Sequence, residues 1–529
     1  MADISEELNY QIIPDEQFEG PKNGFPEMET MIRNMKVEKT CKMTVMHTTK
    51  TDPALSSFMS CQDIDPKQVP INRMGPREQE EADEWIRKGV KCLFDNQFMK
   101  AKSIFQTKVN NDPLYANNLG IMAFMKAMMT RNEDDINLAL GIFTTSNTVS
   151  SCQINSNGLK KTYRLTHYLS ALVNSNSTGL PLNPPYKRQA DIDPEFISSG
   201  VLRAYVIRAE CCLLSGILQM LREDILGLVK CSTNLQKAYS DYSIVWKEYK
   251  RMGQQYTKYM DRDTVSAMQF GLGTLHLIVT CFPPKLAQVF SLLGFKSNLQ
   301  LGFVLLKLCI ETKSIKSSFA SLILLFYYSM ACHLAPQLYR DLLLPALDCL
   351  NACQKQHPNS LFFLYSAGHL ARLSQQHTLS TRSFLRSSEL CQEPWIAPIR
   401  QPISFELAFN KAQELNWQAC LDQLYQLPES IFQHYFISCC QSITQDTTQQ
   451  ILTLASALNQ CPVTSWDLYA AEQIRFFEGR GYQHMEFFLP LFELLMISNG
   501  FESMSTLETG LEQVQRTLEL IYEREKVEY

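Results

Sequence analysis

Six residues between Glu81 and Tyr115 set the tightest constraint on what this chain can fold into. In EADEWIRKGVKCLFDNQFMKAKSIFQTKVNNDPLY, take Trp85 as the fourth position of a 34-residue unit. Gly89 is then the eighth, Phe98 the seventeenth, Ala101 the twentieth, Phe105 the twenty-fourth and Pro113 the thirty-second. Small residues at Gly89 and Ala101 let two antiparallel helices approach closely, and Trp85, Phe98 and Phe105 are expected to fill the space that remains. Pro113 is expected to end the second helix, because its ring lacks a donor and disfavours helix in the residue before it. One such hairpin cannot bury its apolar face alone, so neighbours must stack on it.

All six positions match the tetratricopeptide pattern, and eroded copies follow. Ala346, Leu350, Cys353 and Pro358 fall at the twentieth, twenty-fourth, twenty-seventh and thirty-second positions, which makes LLLPALDCLNACQKQHP a second helix. SLFFLYSAGHLARLSQQ supplies the next first helix, with Gly368 eighth and Ala371 eleventh, and TLSTRSFLRSSELC is its partner, with Phe384 near the expected site. A third pair, ISFELAFNKAQELNWQACLDQLYQLP, begins its second helix at Trp417 and Ala419. For this last pair, chance likeness among helical sequences is the competing explanation.

From Glu80 onward the chain is a series of amphipathic segments in the helix regime, and strands are nowhere clearly called for. The expected fold is therefore all-α, a superhelix of tetratricopeptide-type hairpins. Residues 1–75 read as an irregular, disordered tail, and 76–172 as a helical block holding the first unit at 82–115. A Pro-, Ser- and Asn-rich loop occupies 173–199, a helical middle block 200–335, and helical repeats 336–529. Prolines between Gln392 and Pro402 predict a bend there.

A composition of 45% hydrophobic and 19% charged residues is that of a globular protein. A net charge of -5 offers no basic field for phosphate backbones, so nucleic acid is not an expected ligand. Cysteines such as Cys211, Cys212, Cys332, Cys353, Cys439 and Cys440 sit in apolar stretches without framework spacing, and read as buried thiols in a reducing compartment. The N-terminus is acidic, without the basic and apolar run of a secretory signal, and the sequon at Asn176 is read as coincidental. Gly271 to Phe295 nearly reaches bilayer length, but Pro283, Pro284 and Lys285 interrupt it. It reads as two buried helices joined at the prolines, and no transmembrane span is expected.

The middle block carries a more specific likeness. In order it contains Arg208-Ala209-Glu210, Gln236-Lys237-Ala238-Tyr239, Phe270-Gly271-Leu272-Gly273, Pro283-Pro284-Lys285, Gly294-Phe295 and Leu301-Gly302. Taken together over about residues 80 to 522, the chain resembles the tetratricopeptide repeat protein 39 family, which also includes inclusion-body-clearance proteins. The resemblance implies a non-enzymatic scaffold, with protein or inclusion handling and lipid-related roles at the mitochondrial outer surface or lipid droplets. The irregular first 75 residues and the eroded later repeats depart from the pattern.

Little in the chain calls for chemistry. Gly271, Gly273, Gly294 and Gly302 are expected at helix crossings and turns, because Gly271-x-Gly273 lacks the third glycine and the Lys-Ser/Thr pair of a phosphate loop. His357, His369 and His377 are expected on different helix faces, and His276 and His333 in the core. Acidic clusters at Glu78, Glu80 and Glu81, at Asp134 and Asp135, and at Glu523 and Glu525 read as solvated helix ends. No catalytic residue, cofactor or metal site is nominated. Two functional readings follow: a cytoplasmic scaffold whose helical groove takes protein partners, and attachment to a membrane or lipid surface through Ile278 to Leu293 and SLILLFYYSM.

Overall fold

The computed structural model describes residues 68–156, 196–222, 225–282, 297–334, 338–444 and 465–479, with isolated positions beyond. The expectations for the N-terminal tail to 67, the loop at Asn174 to Pro194, Pro283 to Phe295 including Gly294, the side chain of His333, and Glu523 with Glu525 lie outside the described residues.

Every described element is a helix, and no strand occurs among the described residues. In chain order they are α1 (Pro76–Ala82), α2 (Glu84–Phe94), α3 (Phe98–Gln106), α4 (Pro113–Thr130), α5 (Glu133–Asn155), α6 (Ser199–Met220) and α7 (Ile225–Met252). They continue as α8 (Arg262–Thr280), α9 (Leu299–Glu311), α10 (Ser317–Leu334), α11 (Tyr339–Gln356) and α12 (Leu361–Leu373). Then come α13 (His377–Glu389), α14 (Arg400–Gln413), α15 (Trp417–Leu424), α16 (Ile431–Thr444) and α17 (Ser465–Gly479). Short 3-10 turns follow α7 and precede α14. The described residues form two compact units, one from Met1–Lys91 and Met99–Ala320, the other from Cys92–Phe98 and Ser321–Tyr529.

The repeat signature holds at the atomic level. A Cβ on Gly89 would lie 2.5 Å from the Phe105 ring, and one on Gly368 would lie 2.6 Å from the Phe384 ring. In both hairpins the glycine is the seat for a fully buried phenylalanine sixteen residues later. The third pair repeats the spacing with Ala408 and Leu424, both fully buried. The chain also reverses in the same way each time. Seven residues beyond Gly89, Gly368 and Ala408 stand Asn96, Gln375 and Leu415, with φ of 61, 58 and 58°.

The hydrogen bonds at these three reversals match as well. Asn96, Gln375 and Leu415 donate to the carbonyl three residues back, and Gln97, Gln376 and Asn416 donate to the carbonyl five residues back. This is the Schellman ending of a helix, normally built on glycine because a Cβ is strained in the left-handed region. Gln375 is exposed, so Gln375→Gly is expected to stabilise the second unit by about 1 kcal/mol, read from urea unfolding. Leu415 is half-buried against the C-terminal core and Asn96 hydrogen-bonds Leu361 and Asn359, so neither offers the same gain.

Two assignments in the first unit need correction. Trp85 does not fill the hairpin: it is 61% exposed, with the Lys88 ammonium 4.7 Å from its ring. The buried stripe of α2 runs through Ile86, Gly89, Val90, Leu93 and Phe94, which places Trp85 about 100° off the apolar face. Pro113 likewise does not end α3, which stops at Gln106. It opens α4 at the first helical position, where its missing N–H costs nothing, and Asp112 caps it by accepting from the Leu114 N–H. The break before α14 forms as expected, although Pro402 is accommodated inside the first turn of that helix, for the same reason.

In the first unit α6 is buried on nearly every side, packed by α4, α5, α7 and α8. Gly120 admits the Phe143 ring between α4 and α5. Gly273 and Gly302 bring the backbones of α8 and α9 together, so that a Cβ on either would lie 3.0 to 3.1 Å from the other's carbonyl oxygen. Gly271 makes room for the buried Tyr242 phenol of α7. These glycines act inside helices at crossings, and none of them forms a turn. In the second unit α11 to α17 pack each on the next in chain order, the arrangement expected of stacked hairpins. No described helix is long and apolar enough to cross a membrane.

Candidate protein-binding face

The first helices of two successive hairpins, α12 and α14, meet through polar side chains. Tyr365, His369 and Arg372 recur at i, i+4 and i+7 along α12, and so share one face. All three surround the Phe384 ring that sits on Gly368. Tyr365 and His369 approach it edge-on, with centroids 5.6 and 5.4 Å away, and the Arg372 guanidinium lies 5.7 Å from it. The glycine that lets α12 and α13 close together therefore also positions the face.

Glu406 of α14 is the acceptor at its centre. Arg372 pairs with it directly, Tyr365 Oη donates to it at 3.4 Å, and His369 Nε2 lies 3.6 Å away. Burial pushes the Glu406 carboxyl up, but Arg372, His369 and the hydrogen bonds outweigh it and hold the group below the usual carboxylate range. Arg372 also donates to Asn410 Oδ1 and to the Glu406 carbonyl, each at 3.3 Å. The face thus joins a fixed anion and a fixed cation, both partly accessible, on aromatic support. Such a face suits reading polar groups on a partner. It holds no nucleophile with an adjacent base.

A second charged cluster is buried in the first unit. Arg203 donates to Asp83 at 2.9 Å and to both oxygens of Asp112 at 2.9 and 3.3 Å, and Arg87 reaches Asp263 at 2.9 Å. Lys316 and Glu210 form a fully buried pair at 2.6 Å. The cavity beside Asp83, Arg203, Asp263 and Lys316 measures about 10 Å³, room for no more than one water. No substrate fits there, and the cluster is structural.

Asp83 nevertheless makes this cluster sensitive to pH. Burial pushes its carboxyl up, Arg203 pulls it back, and Asp112, Asp261 and Asp263 push it further, leaving it at about 7. The folded chain therefore holds this proton more tightly than the unfolded chain, whose aspartate titrates near 3.8. Its contribution is most favourable at acid pH and declines as pH rises from about 4 to 7. Asp83→Asn should flatten that slope by roughly 1 kcal/mol per pH unit, measured as unfolding free energy of the first unit at several pH values.

The remaining sequence candidates are dispersed. His357 Nδ1 meets Asp95 at 2.8 Å beside Phe94 and Phe363, whereas His377 opens α13. Only His369 joins the face. His276 accepts from the Asn298 N–H at 3.1 Å, and burial lowers it to about 4. No group of side chains that could hold a metal occurs among the described residues. The described cysteines are free thiols, with Cys439 and Cys440 fully buried. One carboxylate reading is corrected: Asp135 is buried rather than solvated, paired with Lys126 at 2.9 Å and accepting from Thr130 at 2.8 Å.

The sequence profile of the Iml2/Tetratricopeptide repeat protein 39 family matches residues 87–528. The chain belongs to this family. A solved structure, the APC/C hetero-tetramer Cut9-Hcn1, is similar at 12% identity over 83% of this chain and 79% of the other, with a TM-score of 0.21. That score is too low to carry an argument. Family membership supports a protein-binding scaffold of helical repeats, in keeping with the three matching hairpins.

Proposed function

We propose that this member of the Iml2/Tetratricopeptide repeat protein 39 family is a non-enzymatic scaffold, and that the α12–α14 face receives its protein partner. The observation that carries the reading is the join between these two first helices: an accessible Arg372–Glu406 pair held by Tyr365 and His369. The Arg372 and Glu406 side chains keep 13% and 19% of their surface exposed, so the pair is held in place by its neighbours and still offers a partner polar atoms of both signs. The wider reading places the protein in the cytoplasm, at the mitochondrial outer surface or at lipid droplets, in inclusion-body clearance or lipid-related protein handling.

A photo-crosslinking residue placed at His369 in the full chain, expressed in cells, tests the proposal. Discrete protein adducts are expected, reduced about tenfold by Arg372→Glu, which leaves two carboxylates opposed. Adducts unchanged by Arg372→Glu, in a variant with wild-type helix content, would contradict it.

Lipid-surface association is the second reading, favoured by α10, an apolar helix that leaves Phe326 55% exposed. Flotation with liposomes separates the two. Lipid binding requires Phe326→Glu to abolish flotation with the fold intact, and the scaffold reading requires no flotation of the wild-type chain.

A further inference from the structure

Between α5, α6 and α7 the first unit has a cavity of about 180 Å³ lined by Thr144, Asn147, Cys212, Ser215, Gln219 and Asn234. It is polar, yet no carboxylate or ammonium lines it. The charges at its border are paired: Arg222 with Glu133 at 2.6 Å, and Arg208 with Asp241 through two bonds of 2.7 Å. Lys237 stands exposed a turn beyond Asn234 on α7. Burial pushes the Cys212 thiol up to about 11, so it too is uncharged.

The hydrogen-bonding groups of the cavity are underused. Asn147 Nδ2 donates only to the Cys212 sulfur, at 3.5 Å, and sulfur is a weak acceptor. Asn147 Oδ1 is taken by Ser151, and Gln219 Oε1 by Arg222, so both amides present N–H donors. Ser215 and Asn234 add a hydroxyl and a complete amide, each able to donate and accept. The volume is too small for a nucleotide or similar cofactor. It is ample for a planar group of a few heavy atoms on a short stem.

We propose that this cavity is a recognition site for an uncharged carboxamide, the group at the end of an Asn or Gln side chain. A carboxamide offers one acceptor to the N–H groups of Asn147 and Gln219, and an NH₂ to the oxygens of Ser215 and Asn234. Its neutrality matches a cavity whose lining includes no carboxylate or ammonium. The same chemistry can arrive on a free small molecule or on a residue of a protein partner. The site stands independently of the α12–α14 face.

Saturation-transfer NMR on the full chain tests it with three probes: the α-N-methylamides of N-acetylglutamine and N-acetylglutamate, which differ only in the side-chain end group, and an alanine-flanked peptide with one central Gln. The free carboxamide or the peptide, or both, should bind, and the carboxylate should bind at least about tenfold more weakly, the ratio set by one mismatched hydrogen-bonded pair. Binding of the free probe identifies a small-molecule source, and binding of the peptide alone a protein side chain. Asn147→Asp, which keeps the shape and replaces the N–H donor to the ligand's carbonyl oxygen with a second acceptor, should weaken binding by a similar factor, and Ser215→Leu should block the cavity. No carboxamide binding, or the N-acetylglutamate α-N-methylamide binding as tightly, would overturn the proposal. So would unchanged affinity in Asn147→Asp at a wild-type melting temperature.

Discussion

Lys316→Met is expected to cost the first unit about 3–5 kcal/mol, because it leaves the Glu210 carboxylate charged and alone in the core. The pair is 2.6 Å long, and neither side chain is more than 1% exposed. Glu210 has one partner to lose, since its second oxygen makes no hydrogen bond. The Lys316 ammonium also lies 5.6 Å from the Phe319 ring and 6.0 Å from that of Phe270, so its stem and head are both enclosed. Removing both charges should be far milder than removing one. Lys316→Met with Glu210→Leu is expected to recover most of the loss, because two desolvation costs disappear with the pair. Hydrogen exchange at α6 and α8, with urea unfolding of all three variants, reads the result. Equal stability of the single and double variants would sink the account.

Gly271→Ala should destabilise the same unit by about 3 kcal/mol, a large effect for one methyl group. The added Cβ would overlap the hydroxyl and ring end of Tyr242, which is fully buried and cannot swing aside. Tyr242→Leu in the same chain should restore part of the loss by clearing that space. Gly141→Ala on α5 is the contrast. Nothing lies within 4 Å of a Cβ there and the position is exposed, so alanine should stabilise by about 0.5–1 kcal/mol through its helix propensity. Thermal unfolding of the two alanine variants side by side decides whether close approach or propensity governs each glycine.

The hairpins were legible before any coordinates because their determinants are local. Gly89 and Phe105, like Gly368 and Phe384, are sixteen residues apart, and two short helices with a tight turn bring them together. The fixed spacing records that geometry. The misreadings came where spacing leaves the direction or the neighbour open. Trp85 occupies a pattern position yet lies beside the apolar stripe, and Pro113 marks a boundary that the spacing does not assign to the end of one helix or the start of the next. The left-handed reversals at Gln375 and Leu415 carried no signal, since neither is a glycine or asparagine, and Asn96 is the one of the three whose type suits that conformation.

What the amino-acid sequence determined by itself was the all-helical class, the repeat period and the small-against-large contact that closes each hairpin, set by residues only sixteen positions apart. Tertiary structure alone decided which polar residues meet. Arg372 finds Glu406 thirty-four positions away, and Lys316 finds Glu210 across 106. Asn147, Ser215 and Asn234 line one cavity from three helices. A charged or amide side chain looks the same in sequence whether it faces water or a partner. The stacking of helices removes it from solvent and so fixes which group must satisfy it.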